Sequence, residues 1–258
     1  MNQPLSVTFL GTGTSQGIPV IGSDHPVCKS SDPRDHRLRV SVLLEWDAYT
    51  YVIDCGPDFR QQMLRENVGK VDGILLTHEH SDHTAGLDDI RPFYFRQGNI
   101  QFYAAERVFD ALHQRFAYMF ELENKYPGAP AIDEVCISPN TPFIIGGKEV
   151  RVIEADHGGL SVFGFRIGGF TYLTDVKTIP EKELEKIKGT KVLVLNALRE
   201  KPHQSRLNVS EALELVDKIE PESTYFTHIS HLLGFHSEVE PNLPENVHLA
   251  YDGLKITI

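Results

Sequence analysis

The chain has 258 residues, is 41% hydrophobic and 24% charged, and carries a net charge of −11. A chain of that length can bury a core that needs no disulfide or structural metal merely to fold. The negative charge disfavours indiscriminate binding to nucleic acid or anionic lipid.

The start, Met1-Asn2-Gln3-Pro4, lacks the basic-then-apolar pattern of a secretory signal. No apolar stretch approaches the roughly 20 residues that span a bilayer. Cys28, Cys55 and Cys136 are widely spaced and odd in number, which argues for a reducing compartment, the cytoplasm, rather than a disulfide framework.

In chain order, a strand is predicted at Ser6–Leu10, followed by the glycine-rich Gly11-Thr12-Gly13-Thr14-Ser15-Gln16-Gly17. Val40–Glu45 and Tyr49–Asp54 read as a hairpin turning at Trp46-Asp47-Ala48, and Gly73–Thr77 as a strand. Further strands are predicted at Ile100–Ala104, Glu149–Glu154, Val162–Ile167, Phe170–Thr174, Lys191–Leu195, Thr224–Phe226, Val247–Tyr251 and Leu254–Ile258. Helical periodicity covers Phe59–Glu66, Glu106–Phe120, Glu181–Ile187 and Val209–Ile219. Strands first, then strands alternating with helices, fit sheets covered by helices on their outer faces. No linker or repeat divides the chain, so 1–258 reads as one domain, with 93–142 a candidate lid or insertion.

The strand ending Ile74-Leu75-Leu76-Thr77 runs into His78-Glu79-His80-Ser81-Asp82-His83. Three imidazoles and a carboxylate so close together suit zinc, manganese or iron. A tight loop can send His78 and His80 to one ion, and Asp82 and His83 to another. His157, Asp175 and His228 each follow an apolar run, at the strand ends where an α/β scaffold places its site. Asp175 is expected to bridge two ions, with His78, His80 and His157 completing one and Asp82, His83 and His228 the other. Water held between two such ions becomes a nucleophile near neutral pH, so metal-assisted hydrolysis is the expected reaction class.

These residues resemble the metallo-β-lactamase superfamily, from Thr8-Phe9-Leu10-Gly11-Thr12-Gly13 through the HxHxDH motif to Asp252-Gly253. The resemblance implies a four-layer αββα fold: two mixed sheets packed face to face, helices outside, and two divalent ions in the cleft. Zinc is the expected metal, with manganese or nickel as alternatives. The flavodiiron branch usually has glutamate where His80 stands, which favours hydrolysis over redox chemistry.

Within the superfamily the chain resembles the PhnP-type group, phosphoribosyl cyclic phosphate phosphodiesterases, through Gly11–Pro19, Ser31-Asp32-Pro33-Arg34 and Thr227-His228-Ile229-Ser230-His231. That likeness implies an outer structural zinc site at Ser23, His25, Cys28 and His231. With serine at the first position only His25, Cys28 and His231 remain as firm ligands, and Asp24 or water would supply a fourth. Such enzymes are expected to carry an acid histidine before the helix Val209–Ile219, where Arg206 stands here. Arg206 would clamp a phosphate oxygen, and His203 is the alternative proton donor. Asp82 is expected to serve in catalysis as well as ligation.

Asp54 either supports a ligand histidine or starts a turn. Arg37, Arg39, Arg91 and Arg96 are candidates for a phosphate-binding rim or for solvated surface charges. The expected activity is phosphodiesterase action on a small or cyclic phosphate ester. RNA processing of the tRNA 3′ endonuclease type, thioester or lactone hydrolysis, and a non-enzymatic metal-binding module are the alternatives. No nucleic acid or membrane partner is expected, and a homodimer is an assembly to test.

Overall fold

The computed structural model describes residues 4–121 and 126–258. Six strands open the chain: β1 (Ser6–Gly11), β2 (Ser41–Trp46), β3 (Tyr49–Ile53), β4 (Gly73–Leu75), β5 (Ile100–Ala104) and β6 (Ile132–Cys136). Seven more follow: β7 (Phe143–Ile145), β8 (Lys148–Asp156), β9 (Ser161–Ile167), β10 (Phe170–Leu173), β11 (Val192–Asn196), β12 (Ser223–Thr227) and β13 (Val247–Leu249). The last, β14 (Lys255–Thr257), returns to pair with β1, giving sheet orders β14-β1-β2-β3-β4-β5-β6 and β13-β12-β11-β10-β9-β8-β7.

Residue alternation along each strand builds the layers. In β2, Val42 and Leu44 face a core shared with Phe165, Phe170, Tyr172 and Val194 of the second sheet, whereas Leu43 faces outward. That outer face of the first sheet is covered by α1 (Phe59–Arg65), α2 (Ser81–Thr84), α3 (Arg91–Gln97), α4 (Glu106–Arg115) and α5 (Ala117–Phe120), through Phe59, Met63, Phe93, Val108, Phe109, Leu112 and Met119.

The second sheet is covered by α6 (Glu181–Leu184), α7 (Val209–Ile219) and α8 (His236–Val239). In α7, an Asn208–Glu211 capping box satisfies the first turn, and Val209, Ala212, Val216 and Ile219 are buried. Burying each valine or isoleucine contributes roughly 1.5–3 kcal/mol, which holds this helix on the sheet. The architecture is therefore the four-layer αββα sandwich. No helix among the described residues is long and apolar enough to cross a membrane.

The described residues of the segment 93–142 belong to the first sheet and the helices that cover it. They supply β5 and β6, which pair in parallel from Ile100↔Ile132 to Ala104↔Cys136 at the edge of the first sheet. The predicted helix Glu106–Phe120 breaks at Phe116, which leaves helical geometry at φ −121°, ψ 37°. Residues 122–125 of that segment lie outside the described residues.

Strand direction gathers the chemistry at one edge. β3 and β4 run parallel. β8 and β10 are each antiparallel to β9, and β10, β11 and β12 are parallel, so β8, β10 and β12 end on the same side.

Candidate metal centre

The loop His78–His83 leaves β4 and docks on the end of β3. Cys55 N donates to His83 O at 2.7 Å, and Gly86 N donates to Cys55 O at 2.9 Å. The contact is close enough to require glycine at position 56, since a Cβ there would lie 2.1 Å from Asp82 O. Across the cleft, Phe163 N donates to Thr77 O at 2.9 Å, tying the loop to the second sheet.

Seven side chains meet here. The ligand atoms of His78, His80 and His157 lie within 4.8 Å of one another, as do those of Asp82, His83 and His228. A third set, His78, His83 and Asp175, overlaps the first two. Asp175 sits between them: Oδ1 is 3.4 Å from His157 Nε2, while Oδ2 is 3.0 Å from both His83 Nε2 and His228 Nε2.

The imidazoles are oriented from behind. His83 Nδ1 donates to Asp54 Oδ2 at 2.7 Å, His157 Nδ1 to Ser205 O at 2.6 Å, and His78 Nδ1 contacts Thr77 Oγ1 at 3.0 Å. Each interaction leaves Nε2 as the ligand atom. Asp54 also accepts from Thr77 N at 2.9 Å and from Thr77 Oγ1 at 3.0 Å. It thus supports the histidine and makes the turn as well, with φ 65°.

Electrostatics match a cation-binding cleft. Burial pushes the His78 imidazolium down, favouring the neutral ligand form. Burial alone would raise the carboxyls of Asp82 and Asp175, but His83 and His228 outweigh it and hold both well below the usual range. The buried atoms Asp82 Oδ2, His83 Nε2 and His228 Nε2 have no hydrogen-bond partner among the described residues. Unpartnered buried polar atoms from borderline and hard ligands fit divalent metal ions.

Sequence reasoning passed over what grips this loop from outside. Arg107 of α4 pairs with the Glu79 carboxylate and donates to Ser161 O. Arg115 donates to Glu79 O, and to Thr84 Oγ1 at 3.1 Å. The backbone Ser205 O was equally unreadable, because a carbonyl carries no residue-type signal.

The remaining candidates fall elsewhere. Arg206 Nε lies 2.5 Å from Asp175 Oδ1, so its guanidinium pairs with the carboxylate that lies between the two ligand triads. His203 is half-buried three residues away; burial, and then the charges of Arg206, Arg199 and Lys177, push its imidazolium down. At the outer position His25 and His231 meet edge to face at 5.0 Å. However, His25 Nδ1 accepts from Val27 N at 3.3 Å and Cys28 Sγ from Val20 N at 3.4 Å. These three are not among the described groups with ligand atoms within 4.8 Å of one another.

Arg37 is neither rim nor surface charge. It is buried, donating to Thr12 Oγ1 at 2.8 Å and to Ala250 O, with His236 Nδ1 at 3.2 Å. Arg39 pairs with Asp58, Arg91 with Asp88, and Arg96 lies over the Phe93 ring.

A family described as the beta-lactamase superfamily domain matches residues 49–229. A solved diphosphatase from the PhnP family is 38% identical, with a TM-score of 0.93 and a match covering 100% of this chain and 98% of that one. An octanoyltransferase of Porphyromonas gingivalis is 38% identical over 97% of this chain and 51% of its own length. A ribonuclease Z of Methanopyrus kandleri is 33% identical over 61% of this chain and 48% of its own length. The chain thus spans about half the length of these two curated relatives.

Proposed function

Since the chain belongs to the beta-lactamase superfamily, in its PhnP-type branch, we propose that it is a two-metal hydrolase of small phosphate esters, cyclic phosphodiesters among them. The observation that carries this reading is Asp175, whose two oxygens face two separate ligand triads. His78, His80 and His157 would hold one ion and Asp82, His83 and His228 the other, with Asp175 shared. Divalent ions in such a pair supply an activated water and neutralise charge on phosphate oxygens.

The chain's own groups do the rest. Asp54 and Ser205 O fix the ring orientations of His83 and His157, so the ligands are in place before substrate arrives. Arg206 lies close enough to the bridging carboxylate to donate to a phosphate oxygen placed there. His203, beside it, is the candidate to hand a proton to the leaving oxygen. Its depressed proton affinity makes a protonated His203 a stronger acid than a free imidazolium.

The solved PhnP-family relative favours a second linkage, the diphosphate bond, within the same class. Octanoyl transfer is the name of a protein of which this chain matches 51%, and the clustered imidazoles and carboxylates favour hydrolysis. With a net charge of −11, RNA is not the favoured substrate.

The test is an activity screen of zinc-, manganese- and nickel-loaded protein, with metal content measured on the same sample. The substrates are phosphodiesters, cyclic phosphates, diphosphates, thioesters, lactones and a tRNA precursor. Two ions per chain and selectivity for phosphorus substrates are expected. Turnover confined to thioesters or lactones would overturn the reading.

A further inference from the structure

Asp175, whose carboxylate lies between the two ligand triads, has left-handed backbone at φ 57°. That turn takes the chain out of the β10 ladder, which ends at Leu173, so the next peptide groups need other partners. Val176, next in the chain, is buried. The side chain of Asn196 answers both of its backbone groups: Oδ1 accepts from Val176 N at 2.7 Å, and Nδ2 donates to Val176 O at 3.0 Å.

Asn196 closes β11 after the wholly apolar run Val192-Leu193-Val194-Leu195, and it is itself fully buried. Asparagine and glutamine are the side chains that set a donor and an acceptor side by side on one flat uncharged group. Turning the amide over would set N–H against N–H and oxygen against oxygen, so the network admits one orientation. A two-point contact of this kind fixes the tilt of the Val176 backbone as well as its position. Asp175 projects from the residue just before it.

The same strand end reaches two more parts of the centre. Leu207 N also donates to Val176 O, at 2.9 Å, which seats the residue after Arg206 on the same carbonyl. Asn196 is the register partner of Thr227, the residue before His228, and Ala197 N donates to Thr227 O at 3.0 Å.

We propose that Asn196 is a positioning residue, whose carboxamide sets the direction of the Asp175 carboxylate and thereby governs both ions at once. The role rests on the two-metal reading and adds to it a residue that is no ligand itself. A group that orients one ligand ring alters one ion. A group that orients the shared carboxylate alters both.

Asn196→Leu keeps the size of the side chain and removes both hydrogen bonds. Chelator competition should show both dissociation constants weakened about 10–100-fold, and within about threefold of each other. Asn196→Thr keeps one hydroxyl at the strand end and should lose less at both ions; its paired losses decide the matter if the leucine variant does not fold. Val194→Ala, on the same strand with its side chain in the core between the sheets, loosens the fold and spares the carboxamide. Its constants should stay within about threefold of the wild type. Loss at one ion alone, or losses in Val194→Ala equal to those at position 196, would overturn the role.

If the wild type holds fewer than two ions, the two-metal reading fails, and amide hydrogen exchange of the metal-free proteins decides the clamp. With rates normalised to each variant's unfolding free energy, Val176 N–H should exchange about tenfold or more faster in the position-196 variants than in Val194→Ala. Equal rates would overturn it.

Discussion

Asp54→Asn isolates one arm of the metal centre. Asp54 is fully buried and takes His83 Nδ1 at 2.7 Å and Thr77 N at 2.9 Å. Asparagine keeps one acceptor for Thr77 N but turns an NH2 toward His83. The ring must then give up its Nδ1 proton, and the tautomer that results carries its hydrogen on Nε2, where a metal needs a lone pair. Losing one charge-assisted hydrogen bond costs about 1.5–3 kcal/mol, which is roughly 10–100-fold in affinity. In the proposed assignment, only the ion that Asp82, His83 and His228 would hold depends on that ring as its own ligand. Competition with a fluorescent chelator should therefore show one of two dissociation constants weakened by that factor, and the other within about threefold. Unchanged constants, or equal loss at both, would refute the orienting role of Asp54.

Three further outcomes follow from the same geometry. Burial lifts the Asp252 carboxyl to about 6 from 3.8, so between those values the folded protein holds a proton that the unfolded chain has released. Unfolding free energy should then fall as pH rises from about 4 to 6, by up to about 3 kcal/mol, and Asp252→Asn should flatten that slope in urea titrations; an identical slope would assign it elsewhere. Gly56→Ala places a methyl group 2.1 Å from Asp82 O, so the thermal midpoint and the metal content per chain should both fall, and normal values for both would contradict the contact. Arg107→Ala frees Glu79 and loosens the turn that carries His80, which should weaken the site containing His78, His80 and His157 by about 3–10-fold, less than a direct ligand would; isothermal titration with manganese measures this, and a larger loss at the other site would contradict it.

The centre of the fold was readable because its strands are short apolar runs ended by polar residues, as at Gly73–Leu75 before His78. The edges were not. In β6 no residue is buried, so it lacks the buried alternation of a central strand, and β7, though apolar at Phe143, Ile144 and Ile145, has only Ile145 buried. Arg37 misled in the opposite sense: arginine usually marks surface, yet this one is buried by partners 25, 199 and 213 positions away, which no local pattern records. The ligand set was legible as density, three histidines and an aspartate in six residues. The arginines that brace the loop were not, because their partners are set by where α4 packs.

Asp54, Asp175 and His228 all occupy left-handed backbone, at φ 65°, 57° and 55°. For residues with a Cβ such conformations are held against a penalty on the order of 1 kcal/mol each, which glycine escapes. Fold stability and ligand chemistry thus pull in opposite directions at three places in the chain. In a relative released from metal binding, drift toward glycine or asparagine at these three places would relieve the penalty. A homologue that still bears Asp, Asp and His at all three places therefore keeps the ligand chemistry together with its backbone penalty.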